Sequence, residues 1–597
     1  MSAFCKVMID SPLPQLGREF DYKIPDSMQL EIGTPVAVPF GRQAKPKNAI
    51  VTALSKQSDY ANAEVAEKLG PRVLSSEFLD FIKTVAKRQA ISPGELLRMA
   101  MTVQPKRKTD FLEDQQEIAD GILDAVGGYL ALDGHLADIV EARQHLVSGA
   151  THPQWAIRTL QSALSSSGSV VINLPDHRHI RRFRSLVSQL GIEGNFYWAE
   201  DFRTPARKYW LQQRLLTEGG MLVGSRSVML VDAKNLERIL LVNDLDPSHE
   251  SETSPYLPTR ELAFIRAEAQ SCLVHVISHL PSAEILRLAD MGFLKLNLSS
   301  VLPRISFGSE AQISSLKLIT EAVKTGAALI LTNYAGDSAA VRCKTCRGAG
   351  RCSHCGGSIY MPSAETYRCR TCSSLDKPVC VSCGGNQFEK ANKGVTRTAS
   401  DFGKMIPGVR VIESSQTKQV ESVAGNPLVV ATPGAIPLVA EGYKLIVINQ
   451  PQGFLSKESL RAVEHSLRIW LDSASHLATD GLIHFANFQG NVVKKLSIGQ
   501  ITELVKTESE QRRALGLSPW KRLGIVEGDS TRLNQIADSL TFATVIATHP
   551  RLVFSYQYKD GSRVAEILYR EQLSTPPLEG NRRKRGLKVI MDGQALI

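Results

Sequence analysis

The rhythm of apolar and polar positions changes several times along this chain, and the changes mark its parts. Near the N-terminus CKVMID, EFDYKI, TPVAVPF and NAIVTAL are short apolar runs separated by Pro, Gly and Asp. Such runs between turn-forming residues predict a β-rich unit. LDFIKTVAKRQ and PGELLRMAM then follow helical spacing. Residues of about 105 to 140 are polar and charged, a linker or peripheral helical segment. From about residue 145, HLVSGA, GSVVINLP, GMLVGS, RILLVND, CLVHVIS and ALILTNY have the length and continuous apolarity of buried parallel strands. WAIRTLQSALS, HIRRFRSLVSQLG, TRELAFIRAEAQ and SAEILRLADMG alternate with them as helices, which predicts a doubly wound α/β lobe. A second such alternation holds VRVIES, PLVVATPG, YKLIVINQ and LIHFANF, and VFSYQYKD, SRVAEILYR and LKVIMDG predict a smaller α+β end. The divisions expected are 1–104, 105–140, 141–340, 341–388, 389–500 and 501–597.

Cysteine usage changes the picture most. Eight of the ten cysteines fall between the two lobes as pairs, Cys343/Cys346, Cys352/Cys355, Cys369/Cys372 and Cys380/Cys383. Two residues between thiolates let both sulfurs reach one tetrahedral metal, so the four pairs predict two all-cysteine zinc sites. Sites of that kind leave no open position for water and are structural. Gly348, Gly350, Gly356, Gly357, Gly384 and Gly385 supply the tight turns beside them, and His354 is read as a neighbour. Four clustered pairs do not suit redox chemistry, and nothing marks the chain as secreted, which argues against disulfides.

Composition adds bounds. At 597 residues the chain holds several domains, and its 43% hydrophobic and 22% charged content is ordinary for a soluble globular protein. No apolar run approaches the roughly 20 residues of a membrane span, and the N-terminus lacks a signal-peptide pattern. A reducing cytoplasm is expected. The net charge of +10 is modest, but the basic runs at 105–108, 178–184 and 582–585 point together to phosphate contacts.

In order, an FDY…VPFG unit, a lobe with Gly224-Ser225-Arg226-Ser227, cysteines spaced x2-5-2-13-2-7-2, and a second lobe resemble the bacterial replication-restart helicase family PriA (primosomal protein N′). The resemblance covers essentially the whole chain, although 105–140 is too short for the winged-helix domain many members carry. It implies two RecA-like, P-loop-NTPase-type lobes around an inserted two-zinc module. A β-rich N-terminal DNA-binding domain and a small α+β C-terminal domain complete that fold class. It also implies that Phe20, Asp21, Tyr22, Phe40, Gly41 and Lys68 form a pocket for the 3′ end of the leading strand at a fork. Asp21 would bond a terminal 3′-hydroxyl, and the aromatics would contact the base without reading sequence. In nested pairing Cys343, Cys346, Cys380 and Cys383 hold one zinc and Cys352, Cys355, Cys369 and Cys372 the other; sequential pairing is the alternative that spacing leaves open.

A motor of this class needs a phosphate loop with Lys and Ser/Thr, an acidic strand end for Mg²⁺, and an Arg from the second lobe. After HLVSG the chain reads Ala150-Thr151-His152-Pro153-Gln154-Trp155-Ala156, with Trp155 at the lysine's place and Ala156 at the hydroxyl's. After RILLV it reads Asn243-Asp244-Leu245-Asp246 in place of a DEEH-type run. Behind the 458–471 helix stands Ser473-Ala474-Ser475-His476-Leu477-Ala478-Thr479-Asp480, with no Arg pair. Loss of all three argues against ATP hydrolysis and against ATP and Mg²⁺ as cofactors.

The expectation is therefore a cytoplasmic, nucleoid-associated, monomeric bacterial protein. It binds stalled or abandoned forks and single-stranded DNA and promotes restart with the replicative helicase, its loader and single-stranded-DNA-binding protein. An ATP-dependent 3′→5′ helicase with non-standard motifs, and a zinc-ribbon nucleic-acid adaptor outside replication, are the alternatives.

Overall fold

The computed structural model describes residues 3–41, 45–105, 154–192, 194, 196–251, 253–297, 303–308, 314–333, 341–346, 350–353, 359–363, 366–369, 374–375, 379–380, 383–390, 395–455, 459–488, 490–548, 551–574 and 587–592. Cys355, Cys372, the phosphate-loop stretch 149–153, Lys106 to Lys108 and Arg582 to Arg585 lie outside the described residues. The chain divides into two compact units. One joins the described residues up to Ser278 with those from Gly516 on, and the other runs from His279 to Leu515.

In the first unit, β1 (Phe4–Ile9), β2 (Glu19–Lys23), β3 (Pro35–Val38), β4 (Lys47–Ser55) and β5 (Glu67–Lys68) form an antiparallel sheet in the order β2-β1-β4-β3-β5. The Lys23 N–H donates to the Ala63 carbonyl and the Val65 N–H to the Lys23 carbonyl. The strip leading into β5 therefore runs beside β2, and the sheet closes into a small barrel. Alternation sends Val7, Tyr22, Val36, Val38 and Val51 into its interior. Helices Ser76–Gln89 and Pro93–Ala100 follow.

The first lobe is a parallel sheet of β6 (Ser169–Asn173), β7 (Phe196–Trp198), β8 (Met221–Gly224), β9 (Leu236–Val242) and β10 (Leu273–Ile277), ordered β10-β9-β6-β8-β7. β6 and β8 are buried along their whole length, which is why they read as unbroken apolar runs.

The second unit holds β11 (Arg304–Gly308), β12 (Ala327–Leu331), the cysteine-rich strands β13 (Val341–Cys343), β14 (Ile359–Ser363), β15 (Thr366–Cys369) and β16 (Phe388–Lys390), then β17 (Val411–Ser414), β18 (Leu428–Ala431), β19 (Tyr443–Ile448) and β20 (Leu477–Ala486). Its main sheet is parallel, in the order β11-β20-β19-β12-β18-β17. Two elements expected in the first lobe belong here: ALILTNY is β12, between β18 and β19 at the centre of the second sheet, and SAEILRLADMG supplies the helix Ala283–Asp290. Buried parallel strands look alike in sequence, and only pairing assigns them to a sheet. The helix Ile501–Ala514 also belongs to this unit, its Arg512 bonded to the buried Glu464.

The C-terminal part of the first unit is an antiparallel sheet of β21 (Arg522–Glu527), β22 (Thr544–Ala547), β23 (Leu552–Tyr556) and β24 (Lys588–Met591), ordered β22-β23-β21-β24. Its helix Gly561–Leu573 reaches the N-terminal domain. The Tyr569 hydroxyl donates to the Pro14 carbonyl at 2.6 Å, and Gln572 Nε2 donates to the Ala90 carbonyl at 2.8 Å. The expected class, two α/β lobes with a β-rich N-terminal domain and a small α+β C-terminal domain, is the one observed. No described helix is long and apolar enough to cross a membrane.

Candidate metal centre and DNA-end site

The metal centre rests on two short antiparallel ladders. β13 pairs with β16, which brings Cys343 opposite Phe388 and carries the Cys380/Cys383 segment alongside. Gly384 has φ of +71°, a left-handed turn glycine adopts without strain, and its N–H donates to the Cys380 carbonyl at 2.8 Å. A Cβ on Gly385 would sit 3.3 Å from Cys343 Sγ and 3.4 Å from Cys383 Sγ, so glycine keeps the sulfurs clear.

Cys343, Cys346, Cys380 and Cys383 have sulfurs all within 4.8 Å of one another. Cys343 Sγ lies 3.6 Å from Cys383 Sγ, and Cys346 Sγ 3.4 Å from Cys380 Sγ. A tetrahedral Zn–S bond of about 2.3 Å corresponds to S···S edges of roughly 3.8 Å, so the four thiols fit one such ion. Their electrostatics fit as well. The Cys346 N–H pulls the Cys343 thiol down to about 6. At Cys383 the Gly385 N–H acts downward, but the Cys346 and Cys343 sulfurs outweigh it and push the thiol up to about 12. Four thiolates this close need a cation to carry their charge together.

Of the other predicted ligands, Cys352 and Cys369 are described, and both are buried. Cys352 Sγ lies 3.2 Å from Ser374 Oγ, and the Cys369 N–H donates to the Ser374 carbonyl.

The predicted DNA-end residues gather at the barrel. Phe20 and Phe40 meet edge to face with ring centroids 5.0 Å apart, and both remain partly exposed. Tyr22 is buried, and its hydroxyl donates to the Pro39 carbonyl at 2.8 Å, fixing the turn that carries Phe40 and Gly41. Gly41 is exposed at φ of +67°. Strand alternation puts Asp21 on the opposite face of β2 from Phe20 and Tyr22. There its carboxylate accepts from the Ser58 hydroxyl at 2.9 Å and lies 4.0 Å from Lys6 Nζ. Lys68 is exposed on β5, its Nζ donating to the Gln29 carbonyl at 2.9 Å. The structure thus joins Phe20, Tyr22, Phe40 and Gly41; Asp21 is directed to the other face of β2, and Lys68 stands on β5 beside β3, the strand that leads to Phe40. Sequence reading passed over Arg18, whose guanidinium carbon lies 5.0 Å from the Phe20 ring centroid; a cation two residues before an aromatic was the available signal.

The positions a motor would use are occupied by packing. Trp155 and Ala156 are buried on the helix Gln154–Leu164, the indole 5.1 Å from the His179 ring. Asp244, past the end of β9, is buried with its carboxylate 3.2 Å from the Arg260 guanidinium. Asp246 accepts from the Ser248 N–H as a local cap, and Leu245 is fully buried. Arg226 of the GSRS loop donates to the Glu250 carbonyl, which favours a folding role for that loop. In the basic helix His177–Gln189, Arg178 is buried and Arg184 pairs with Asp201 at 3.0 Å while stacking 5.1 Å from the Trp198 ring centroid. In the second unit Arg461 bonds Glu284 and Glu464, and Arg468 bonds Asp472 at 3.0 Å.

Residues 6–102 match the family model described as the PriA 3′DNA-binding domain (3′BD). The chain is 24% identical over 577 residues to the Mycobacterium tuberculosis protein named "Probable replication restart protein PriA", covering 88% of this chain and 87% of that one. It is 24% identical over 409 residues to the replication restart protein PriA of Bacillus subtilis, covering 62% of this chain and 48% of that protein.

Proposed function

We propose that this chain, similar to the replication restart protein PriA over most of its length, binds stalled or abandoned replication forks through a free 3′ end and promotes restart without unwinding DNA itself. DNA binding rests on the 3′DNA-binding domain match over residues 6–102. Restart rests on the relatives that share most of the chain's length. In this reading Phe20, Phe40 and Gly41 contact the terminal nucleotide, and Tyr22 holds their turn from beneath. Asp21 and Lys68 act at the rim, Asp21 exchanging Ser58 for the 3′-hydroxyl. Two zinc ions, one on Cys343, Cys346, Cys380 and Cys383 and one on Cys352, Cys355, Cys369 and Cys372, brace a module that contacts single-stranded DNA and partners. Those partners are the replicative helicase, its loader and single-stranded-DNA-binding protein, met in the bacterial cytoplasm.

The observation that carries the non-motor part is the buried Asp244–Arg260 pair. A carboxylate neutralised by an internal guanidinium is a poor Mg²⁺ ligand, and the indole of Trp155 packs where a phosphate-binding lysine would be needed. The test is ATP turnover with and without forked DNA. Turnover no higher than the buffer blank is expected; fork-stimulated hydrolysis by the wild-type chain would overturn the non-motor reading.

A further inference from the structure

We infer that Arg18 is the phosphate-binding residue of the DNA-end site, contacting the last phosphodiester of the strand whose terminal base lies against Phe20 and Phe40. This rests on the end-binding reading above and adds a residue and a chemistry to it. Arg18 is exposed, and its guanidinium is held against Phe20, 5.0 Å from the ring centroid, while Phe20 in turn meets Phe40. Among the described residues no carboxylate lies within 4.0 Å of it. Stacking pre-orients the planar fork and leaves its N–H donors facing outward, so little rotamer freedom remains to be lost when a phosphate arrives. A guanidinium suits phosphate oxygens through paired, charge-assisted hydrogen bonds. A base against the same aromatic pair brings its backbone phosphate to the edge of that stack, where the cation stands.

The loop that carries Arg18 is also built to stay in place. The Gly17 N–H donates to the Pro14 carbonyl at 3.0 Å, and the same carbonyl accepts the Tyr569 hydroxyl from the C-terminal helix at 2.6 Å. A Cβ on Gly17 would lie 2.2 Å from Tyr569 Oη and 3.0 Å from Ser92 Oγ, so only glycine admits this approach. Tyr569 is therefore a positioning residue. It touches no DNA in this account, and it fixes the turn from which Arg18 projects.

The test measures affinity for a fork with a free 3′ end and for the same fork with that end closed by a hairpin loop, at 50 to 200 mM salt. Wild type should prefer the free end. Arg18→Ala should weaken free-end binding by about 3- to 10-fold and reduce its salt slope by about 1, as expected for one lost phosphate contact, while the closed fork is unaffected. Arg18→Lys should keep the slope and lose part of the affinity, since it retains charge without the stacked fork. Tyr569→Phe should weaken free-end binding in the same direction, and added to Arg18→Ala it should cost nothing more. Free-end affinity and slope unchanged in Arg18→Ala, with wild type still preferring the free end, would overturn the role of Arg18 alone. A wild type without end preference would overturn the end-binding reading and this inference with it.

Discussion

The carboxylate of Asp244 and the guanidinium of Arg260 form an ion pair at 3.2 Å with both side chains buried. Two charges withdrawn from water tolerate each other only as a pair. Breaking a buried pair by removing one of its members costs about 3–5 kcal/mol. Asp244→Ala should therefore lower the urea midpoint of the first unit sharply, and Asp244→Asn with Arg260→Met should recover much of the loss. Equal midpoints for wild type and Asp244→Ala would mean that the pair is exposed in solution.

Zinc content distinguishes the two ways of pairing the cysteines. Two zinc ions per chain are expected from metal analysis. Cys343→Ser with Cys383→Ser should leave one ion per chain, because the sulfurs of that pair are 3.6 Å apart in a single cluster. Loss of both ions would point to sequential pairing, in which the two substitutions fall in different sites.

Gly17→Ala places a methyl group 2.2 Å from the Tyr569 hydroxyl. Either the C-terminal helix or the loop must yield, and overpacking of this kind costs about 1–3 kcal/mol. Thermal denaturation should show the loss, and Tyr569→Phe in the same chain, which removes the clashing oxygen, should restore part of it.

Asp176 caps the helix His177–Gln189, accepting from the Arg178 and His179 N–H groups. Burial opposes its ionisation, but the hydrogen bond and charge of His179 and these N–H groups hold its carboxyl well below the usual range. A carboxyl depressed on folding stabilises the native state above its unfolded pKa of about 3.9, and that stabilisation fades as the pH falls below it. Urea midpoints should drop between pH 5 and pH 3 more steeply in wild type than in Asp176→Asn.

Much of this architecture was legible because its elements keep simple periods. β6 and β8 are buried along their whole length and so carry continuous apolar runs, and the CxxC spacing marks a cluster that could hold a metal, four of its sulfurs lying within 4.8 Å of one another. What sequence did not yield depends on pairing across distance. Nothing in ALILTNY says that it sits between β18 and β19. Nothing in AEILRLAD or RAVEHSLR says that Arg461 would bond Glu284, 177 residues away. FDY looked like three adjacent contacts, yet a strand sends alternate side chains to opposite faces, so Asp21 turns to Lys6 and Ser58 while Phe20 turns to Phe40. Arg18 was missed for a related reason: its partner is an aromatic ring, and a cation beside a ring leaves only a faint mark in sequence.

The central claim is that a free 3′ end is what this protein recognises at a fork. It is tested most directly by binding of the full chain to two forks that differ only in the leading-strand terminus, one with a 3′-hydroxyl and one with a 3′-phosphate. The account predicts tighter binding to the hydroxyl end, with the difference abolished in Asp21→Ala. Equal affinity for the two ends, or a preference that survives Asp21→Ala undiminished, would contradict it.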